Sequence, residues 1–387
     1  MDLTRLIHGI DLRARVATSL GRVTGRCVVI ALGKGAPSMA RGALDALGRV
    51  DDLLVVTSDD TDALGLPVVR AAHPLPDARS VEAGRAALAL AASLGPGDTL
   101  VALVSGGASA LACVPAPPLD LAQKRALGAA LLASGAAIEE INVVRRHASL
   151  LKGGGLLGRH RTLTRVASDV LVERDGQVVE GAAATVGSGP ASACVTTKED
   201  AHRILARWAP QLVDAPLVDH HGAPSDERCV AGPLDLARVA CHELDRVGYQ
   251  TTLAPPTLAS VDALAEQLVR AAEALGPGHA RVQVGEPSVR LPRDPGVGGR
   301  LGRLALLAWR RGLPASVRLA CLASDGVDGG GGGGAIVRGR VEDPSGATTA
   351  LAAFADAPFL ERHGALVPRR PSGQNFLDLL VLVRDGT

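Results

Sequence analysis

The run Thr99–Val104 (TLVALV) is apolar at nearly every position and ends in Ser105-Gly106-Gly107-Ala108-Ser109. A short run of this kind closed by a glycine turn reads as a strand buried on both faces, which is how strands of a parallel sheet read. The same grammar occurs earlier. Cys27–Leu32 (CVVIAL) runs into Gly33-Lys34-Gly35-Ala36-Pro37-Ser38 and then a helix to about Leu47. Further strands are expected at Leu53–Thr57 and Val68–Ala71, and a helix from Ser80 to about Leu94. This alternation predicts an α/β fold, with a Rossmann-like doubly wound parallel sheet that binds ligands at the carboxyl ends of its strands.

Those ends carry the chemistry. The paired glycines Gly106 and Gly107 permit unusual backbone angles and close approach by a ligand. The turn can gather N–H groups into an anion-binding concavity, with the Ser105 and Ser109 hydroxyls as further donors. Lys34 sits inside the other turn, where its ammonium points to the ligand side of the sheet. Gly33-x-Gly35-x-x-Ser38 meets the dinucleotide fingerprint only in half. Asp59 and Asp60 lie near the spacing of a ribose-binding acid, so an NAD-dependent oxidoreductase is one reading. A lysine within the turn and the missing third glycine oppose it. Further on, Asn142-Val143-Val144-Arg145-Arg146-His147 falls on a helix, and Lys152 precedes Gly153-Gly154-Gly155. Fixed positive charge beside bendable backbone suits a substrate bearing carboxylate and phosphate groups.

Composition excludes other classes. A chain of 387 residues has two domains as its natural prior. The net charge of +1 gives no support for nucleic-acid binding through bulk charge. No apolar run reaches the ~18 residues of a membrane span, and the N-terminus lacks the apolar core of a signal peptide. The six cysteines form no C-x-x-C pair and read as reduced thiols, so a cytoplasmic protein is expected. His220-His221 beside Asp219 falls in a Pro-, Asp- and His-rich stretch, 210–228, read as a solvated surface loop.

The motifs SGGASAL and ALLASGAAIEEINVVRRHASLLKGGGLL resemble the central signature of the type II glycerate kinases (glycerate 2-kinases, of the MOFRL-domain family). Ala72-His73-Pro74-Leu75-Pro76-Asp77, the Ser168-Asp169-Val170 and Ser188-Gly189-Pro190 segments, Gly296-Val297-Gly298-Gly299-Arg300, Ser324-Asp325-Gly326-Val327-Asp328-Gly329 and Gly373-Gln374-Asn375-Phe376-Leu377-Asp378 extend the likeness over essentially the whole chain. The resemblance implies a Rossmann-like domain over 1–230 and a smaller MOFRL-like α/β domain over 231–387, with the boundary placed to within about 30 residues and the active site in the cleft between them. It implies ATP-dependent phosphorylation of D-glycerate to 2-phosphoglycerate, with Mg²⁺. The chain contains no P-loop, so such a kinase would have a different architecture. Glycerate and nucleotide are then the partners, without nucleic acid or membrane, and a homodimer is left open.

Residue by residue, the resemblance makes Lys34 and Arg300 catalytic, since cations there can stabilise a transferring phosphoryl group. It makes Ser105, Gly106, Gly107, Ser109, Arg145, Lys152, Ser188, Gly189, Gly298, Gly299 and Asp325 the substrate- and phosphate-binding set, and Asp169 a metal ligand. The chain also departs from the family. Leu171 to Asp175 replaces a Gly-Asp-Asp run and carries an insertion. Leu301, Gly302 and Arg303 stand for Asn, Gln and Glu. An acidic residue is missing from Gly329–Gly334, a run expected to be a very flexible loop. These losses motivate a second reading: a catalytically impaired or repurposed paralogue that binds a small carboxylate or phosphate ligand.

Overall fold

A computed structural model describes residues 2–220, 222 and 224–386; His221 lies outside the described residues. The chain divides into two compact units. One comprises Leu12–Ser168 and Gly181–Ala231. The other comprises Met1–Asp11, Asp169–Glu180 and Gly232–Thr387. The division at Ala231/Gly232 is therefore joined by two segments from the N-terminal part that pack with the C-terminal one.

The first unit is built on β1 (Cys27–Leu32), β2 (Asp52–Ser58), β3 (Val69–Ala71), β4 (Thr99–Ser105) and β5 (Arg161–Ala167). The hairpin β6 (Leu171–Arg174) and β7 (Gln177–Glu180) belongs to the second unit, and β8 (Asp226–Ala231) returns to the first. Its sheet has the order β3-β2-β1-β4-β5-β8, and every adjacent pair is parallel. The chain builds outward from β1 to β3, then crosses to the far side of β1 for β4. The winding therefore reverses between β1 and β4, which makes the carboxyl ends of these two strands the topological switch point. Both strands are buried along their whole length, which accounts for their unbroken apolar sequence. Strand β8 (DERCVA) is a correction to the loop expected over 210–228. It is a largely exposed edge strand that pairs through its backbone and so shows no apolar pattern.

The second unit carries β9 (Gln250–Leu253), β10 (His279–Gly285), β11 (Val317–Ala323), β12 (Gly334–Arg338), β13 (Leu366–Val367) and β14 (Asp378–Arg384). The order is β13-β12-β11-β14-β10-β9; β9 and β10 are parallel and the other pairs antiparallel. Leu301, Leu304 and Trp309 of helix Arg300–Arg311 and Leu264 and Leu268 of helix Val261–Ala274 pack with Leu319, Cys321, Leu380 and Leu382 of the central strands. The insertion after Val170 becomes the β6–β7 hairpin. Its Glu180 Oε1 accepts from Leu234 N at 2.8 Å, at the start of helix Pro233–Arg246.

Two local expectations change. The sequence over 3–20 suggests a single amphipathic helix; the structure instead has a 3₁₀ segment Leu3–His8 and a separate helix Leu12–Ser19, in different units. The glycine run is not a loose tether. Asp328 and Gly332 form a β-bridge, Gly330 N donates to Gly298 O at 3.1 Å, Gly333 N to Val367 O at 2.8 Å, and Gly334 opens β12. At Gly329, Gly332 and Gly334 backbone from three other segments occupies the space a side chain would need. A Cβ on Gly329 would lie 2.5 Å from Gly298 O, and one on Gly332 2.6 Å from Val367 O. Among the described residues no helix is long and apolar enough to cross a membrane.

Candidate functional site

In the first unit the sequence-predicted residues gather at the switch point. Gly33 has φ +127°, and a Cβ there would fall on the Ser105 hydroxyl and 2.6 Å from the Ser105 carbonyl oxygen. Only glycine lets the two turns touch. They are then tied together: Lys34 N donates to Gly106 O at 2.9 Å, and Gly35 N to Ser105 Oγ at 3.0 Å. Gly107, at φ +84°, precedes the single turn Ala108–Leu111. A Cβ on Gly107 would stand 3.2 Å from His73 Cδ2 and 3.4 Å from Lys34 Cγ, so Lys34 and His73 flank this glycine.

Ser109 Oγ accepts from Lys152 Nζ. Lys152 is only 4% exposed. Burial, reinforced by the neighbouring charges of Lys124 and Arg145, pushes its ammonium well below the ordinary lysine value. Lys124 Nζ donates to Ala148 O at 2.7 Å, and burial brings it down to about 8. Burial also lowers the Arg145 guanidinium. Among the described residues, no carboxylate pairs with any of these three cations. Buried charge without a counter-charge is costly: such a group gives up its proton more readily or takes a partner of opposite sign, which makes this cluster a candidate anion site.

Ser188 and Gly189 act as braces. Gly153 N donates to Ser188 O at 3.0 Å and Gly154 N to Gly189 O at 2.7 Å. Ser188 Oγ reaches Asn142 Oδ1 at 3.3 Å. Gly187, Ser188 and Gly189 all have positive φ, which for serine is a strained conformation of the kind held at functional sites. Their polar groups hold the Lys152–Gly155 segment in place.

In the second unit, helix Arg300–Arg311 begins at Gly299. The amides that a phosphate cradle would use are engaged by the chain's own carboxylates. Asp328 accepts from Leu301 N at 3.1 Å and Gly302 N at 2.8 Å, and Asp356 from Gly299 N at 3.2 Å. Gly298 and Gly299 make room for these side chains: a Cβ on Gly298 would lie 2.6 Å from Asp356 Oδ2, and one on Gly299 would fall on the Asp328 carboxylate. Burial raises both acids, Asp356 to about 6. Arg300 Nε lies 2.7 Å from Asp378 Oδ2, and Nη1 3.3 Å from Glu286 Oε1. Burial would lower the guanidinium, but Asp378 and Glu286 lift it above its ordinary value. Burial takes Asp378 up to about 7 against the pull of Arg300. Asp325 Oδ1 accepts from Val327 N at 3.0 Å, and its carbonyl from Ser372 N at 3.0 Å. Asp169 Oδ2 accepts from Asn375 Nδ2 at 2.8 Å.

The predicted residues therefore fall into two sets. Lys34, Ser105, Gly106, Gly107, Ser109, Arg145, Lys152, Ser188 and Gly189 belong to the first unit, and Asp169, Gly298, Gly299, Arg300 and Asp325 to the second. Lys124, Asn142, Asp356 and Asp378 are additions. Asn142 and Asp378 lay inside recognised motifs; nothing in the sequence marked Lys124 or Asp356. Among the described residues no three His, Cys, Asp or Glu side chains converge as a metal site. Asp169 still fits Mg²⁺, which is often held by one carboxylate together with substrate phosphates, and a ligating carboxylate is commonly oriented by a hydrogen bond such as the one from Asn375. The ribose-binding reading of Asp59 loses support, since Arg79 Nη1 and Nη2 bind both its oxygens, at 2.8 and 2.9 Å.

A family model described as "Domain of unknown function (DUF4147)" matches residues 8–220. The chain belongs to the DUF4147 family. A D-glycerate 2-kinase from Thermotoga maritima is 28% identical over 92% of this chain and 90% of its own length. The crystal structure of a glycerate kinase from the same organism matches 99% of this chain and 97% of its own, with a TM-score of 0.82 at 26% identity. An Agrobacterium vitis protein named "Putative hydroxypyruvate reductase" is 37% identical over 58% of this chain. The match covers 53% of that protein, so the chain spans about half the length of this curated relative. The DUF4147 match, the whole-length kinase relative and the shared α/β architecture support the glycerate kinase resemblance of the motifs.

Proposed function

We propose that the protein catalyses ATP-dependent phosphorylation of D-glycerate to 2-phosphoglycerate. The observation that carries this reading is buried Lys152 beside half-buried Lys124 and Arg145, next to the switch-point turn and without a carboxylate partner among the described residues. A small hydroxy acid supplies the missing negative charge, and the Ser105–Ser109 turn supplies hydroxyl and amide donors around it. Phosphoryl transfer asks little covalent chemistry of a protein; it needs positioning and fixed positive charge where charge develops. Lys34 and Arg300 are the residues assigned to that charge. Mg²⁺ bound with the nucleotide phosphates would neutralise their charge, with Asp169 as its protein ligand. The reductase name of the Agrobacterium relative finds less support, since the Gly33–Ser38 turn carries Lys34 and lacks the third glycine of the dinucleotide fingerprint, and Asp59 is paired with Arg79.

The test is a coupled assay of ADP release from purified protein with Mg-ATP, with and without D-glycerate. Glycerate-dependent turnover above ~1 s⁻¹, an ordinary enzyme rate, is the expected result. One observation favours the impaired-paralogue reading: Asp328 and Asp356 occupy the amides of Gly299, Leu301 and Gly302. Folded protein that binds glycerate in a calorimeter without releasing ADP would establish that reading instead.

A further inference from the structure

Cys194 is half-buried, next to the exposed Val195, and lies outside the residues given a part in phosphoryl transfer. Its Sγ is 3.9 Å from His147 Nε2, 3.4 Å from Thr196 Oγ1 and 3.5 Å from the Thr196 carbonyl oxygen. His147 is fully buried. Its Nδ1 lies 2.7 Å from the Val218 carbonyl oxygen, which can only accept a hydrogen bond. That contact places the proton of the neutral ring on Nδ1 and leaves the Nε2 lone pair facing the thiol and the Thr196 hydroxyl, 3.0 Å away. A buried base, oriented by a third group and facing a sulfur, is the arrangement that activates a nucleophile.

We infer that Cys194 is a thiol–disulfide exchange site, activated by His147, that takes small-molecule disulfides. His147 Nε2 accepts the thiol proton. The Cys194 thiolate then attacks one sulfur of the reagent; a new S–S bond forms as the reagent's own breaks, and the departing thiolate leaves for solvent or collects the proton from the imidazolium. The surrounding charge is consistent with this. Burial raises the thiol, but the contacts with His147 and Thr196 outweigh it and bring it down to about 7. Burial lowers the imidazole, and Cys194 and Val218 more than restore it. Asp219, bound by Lys198, also favours the imidazolium, and the charge on His147 in turn helps burial to lower His220, whose ring centroid is 5.8 Å away. Arg146 turns its guanidinium to Ala184 O and its carbonyl to His220. The other thiols differ: Cys27, Cys113 and Cys321 are buried, Cys241 is pushed up to about 11, and Cys229 is exposed.

The experiment treats the full chain with the aromatic disulfide 5,5′-dithiobis(2-nitrobenzoate), follows the released thiolate and assigns the modified cysteine by peptide mass mapping. Cys194 should react at least ~10-fold faster than Cys229 at pH 6.5, with a half-maximal rate near pH 7. Thr196→Val should slow Cys194 severalfold at that pH without changing Cys229. His147→Gln, if circular dichroism shows it folded, should move the half-maximal pH above 8. If Cys194 follows the pH profile of Cys229, or stays unmodified in the folded protein, the inference is overturned; should His147→Gln not fold, the wild-type profile and Thr196→Val decide.

Discussion

Arg300 Nε sits 2.7 Å from Oδ2 of Asp378, a carboxylate only 2% exposed at the first residue of β14. The central strand of the second sheet thus fixes the direction of the guanidinium, and Glu286 after β10 holds its other arm. A cation held this way costs no reorganisation when charge develops near it. Arg300→Ala should lower kcat/KM for glycerate phosphorylation by at least ~100-fold. Arg300→Lys should recover little, because a single ammonium cannot engage Asp378 and Glu286 as a fork does. Steady-state ADP release on both variants checks this, and a loss within threefold would remove Arg300 from the mechanism.

Lys152 offers a test in which binding and stability move apart. Its buried ammonium is unfavourable in the free protein and useful only with an anion present. Lys152→Met should leave the Tm of the ligand-free protein unchanged or higher, while KM for glycerate rises at least ~10-fold. Thermal denaturation and initial rates on the same preparation separate the two effects.

Gly33→Ala should destabilise by about 2 kcal/mol or more, since φ +127° and the Ser105 backbone leave no room for a methyl group. Urea denaturation measures the loss. A cost below ~0.5 kcal/mol would mean that the two turns are not held together as described.

Asp356 gives the chain a pH dependence of defined sign. Its folded-state pKa, about 6, lies above its ordinary value of 3.8, so the folded state holds this proton more tightly than the unfolded chain does. The contribution to stability is full below about pH 4 and is lost as pH rises through 6. Asp356→Asn should flatten the fall in stability between pH 4 and 6 by on the order of 1–2 kcal/mol, read from denaturation midpoints across that range.

The first sheet was legible because parallel strands buried on both faces have no choice but to be apolar, as β1 and β4 are. Strand β8 was not, because an edge strand pairs through its backbone whatever its side chains. Lys34 and the Ser105 turn could be found because glycine turns after apolar runs announce themselves. Lys124 could not, since a lysine on a helix looks solvated until the tertiary fold buries it. Gly298 and Gly299 show the converse. A glycine pair before a helix looks like a phosphate cradle, and sequence does not say which anion fills it; here Asp328 and Asp356 do.

The six glycines from Gly329 to Gly334 work as a gauge block. One end is pinned by Asp328 against the start of helix Arg300–Arg311, and the other by Gly334, which pairs with Leu322 across β11 and β12. Adding or removing one glycine would slide β12 by one residue along β11 and turn Ala335 and Val337 out of the core. A stretch whose composition reads as interchangeable spacer is thus as constrained in its length as a core residue is in its identity. Its one open position for a side chain is Gly330, where a Cβ would meet nothing within 4 Å.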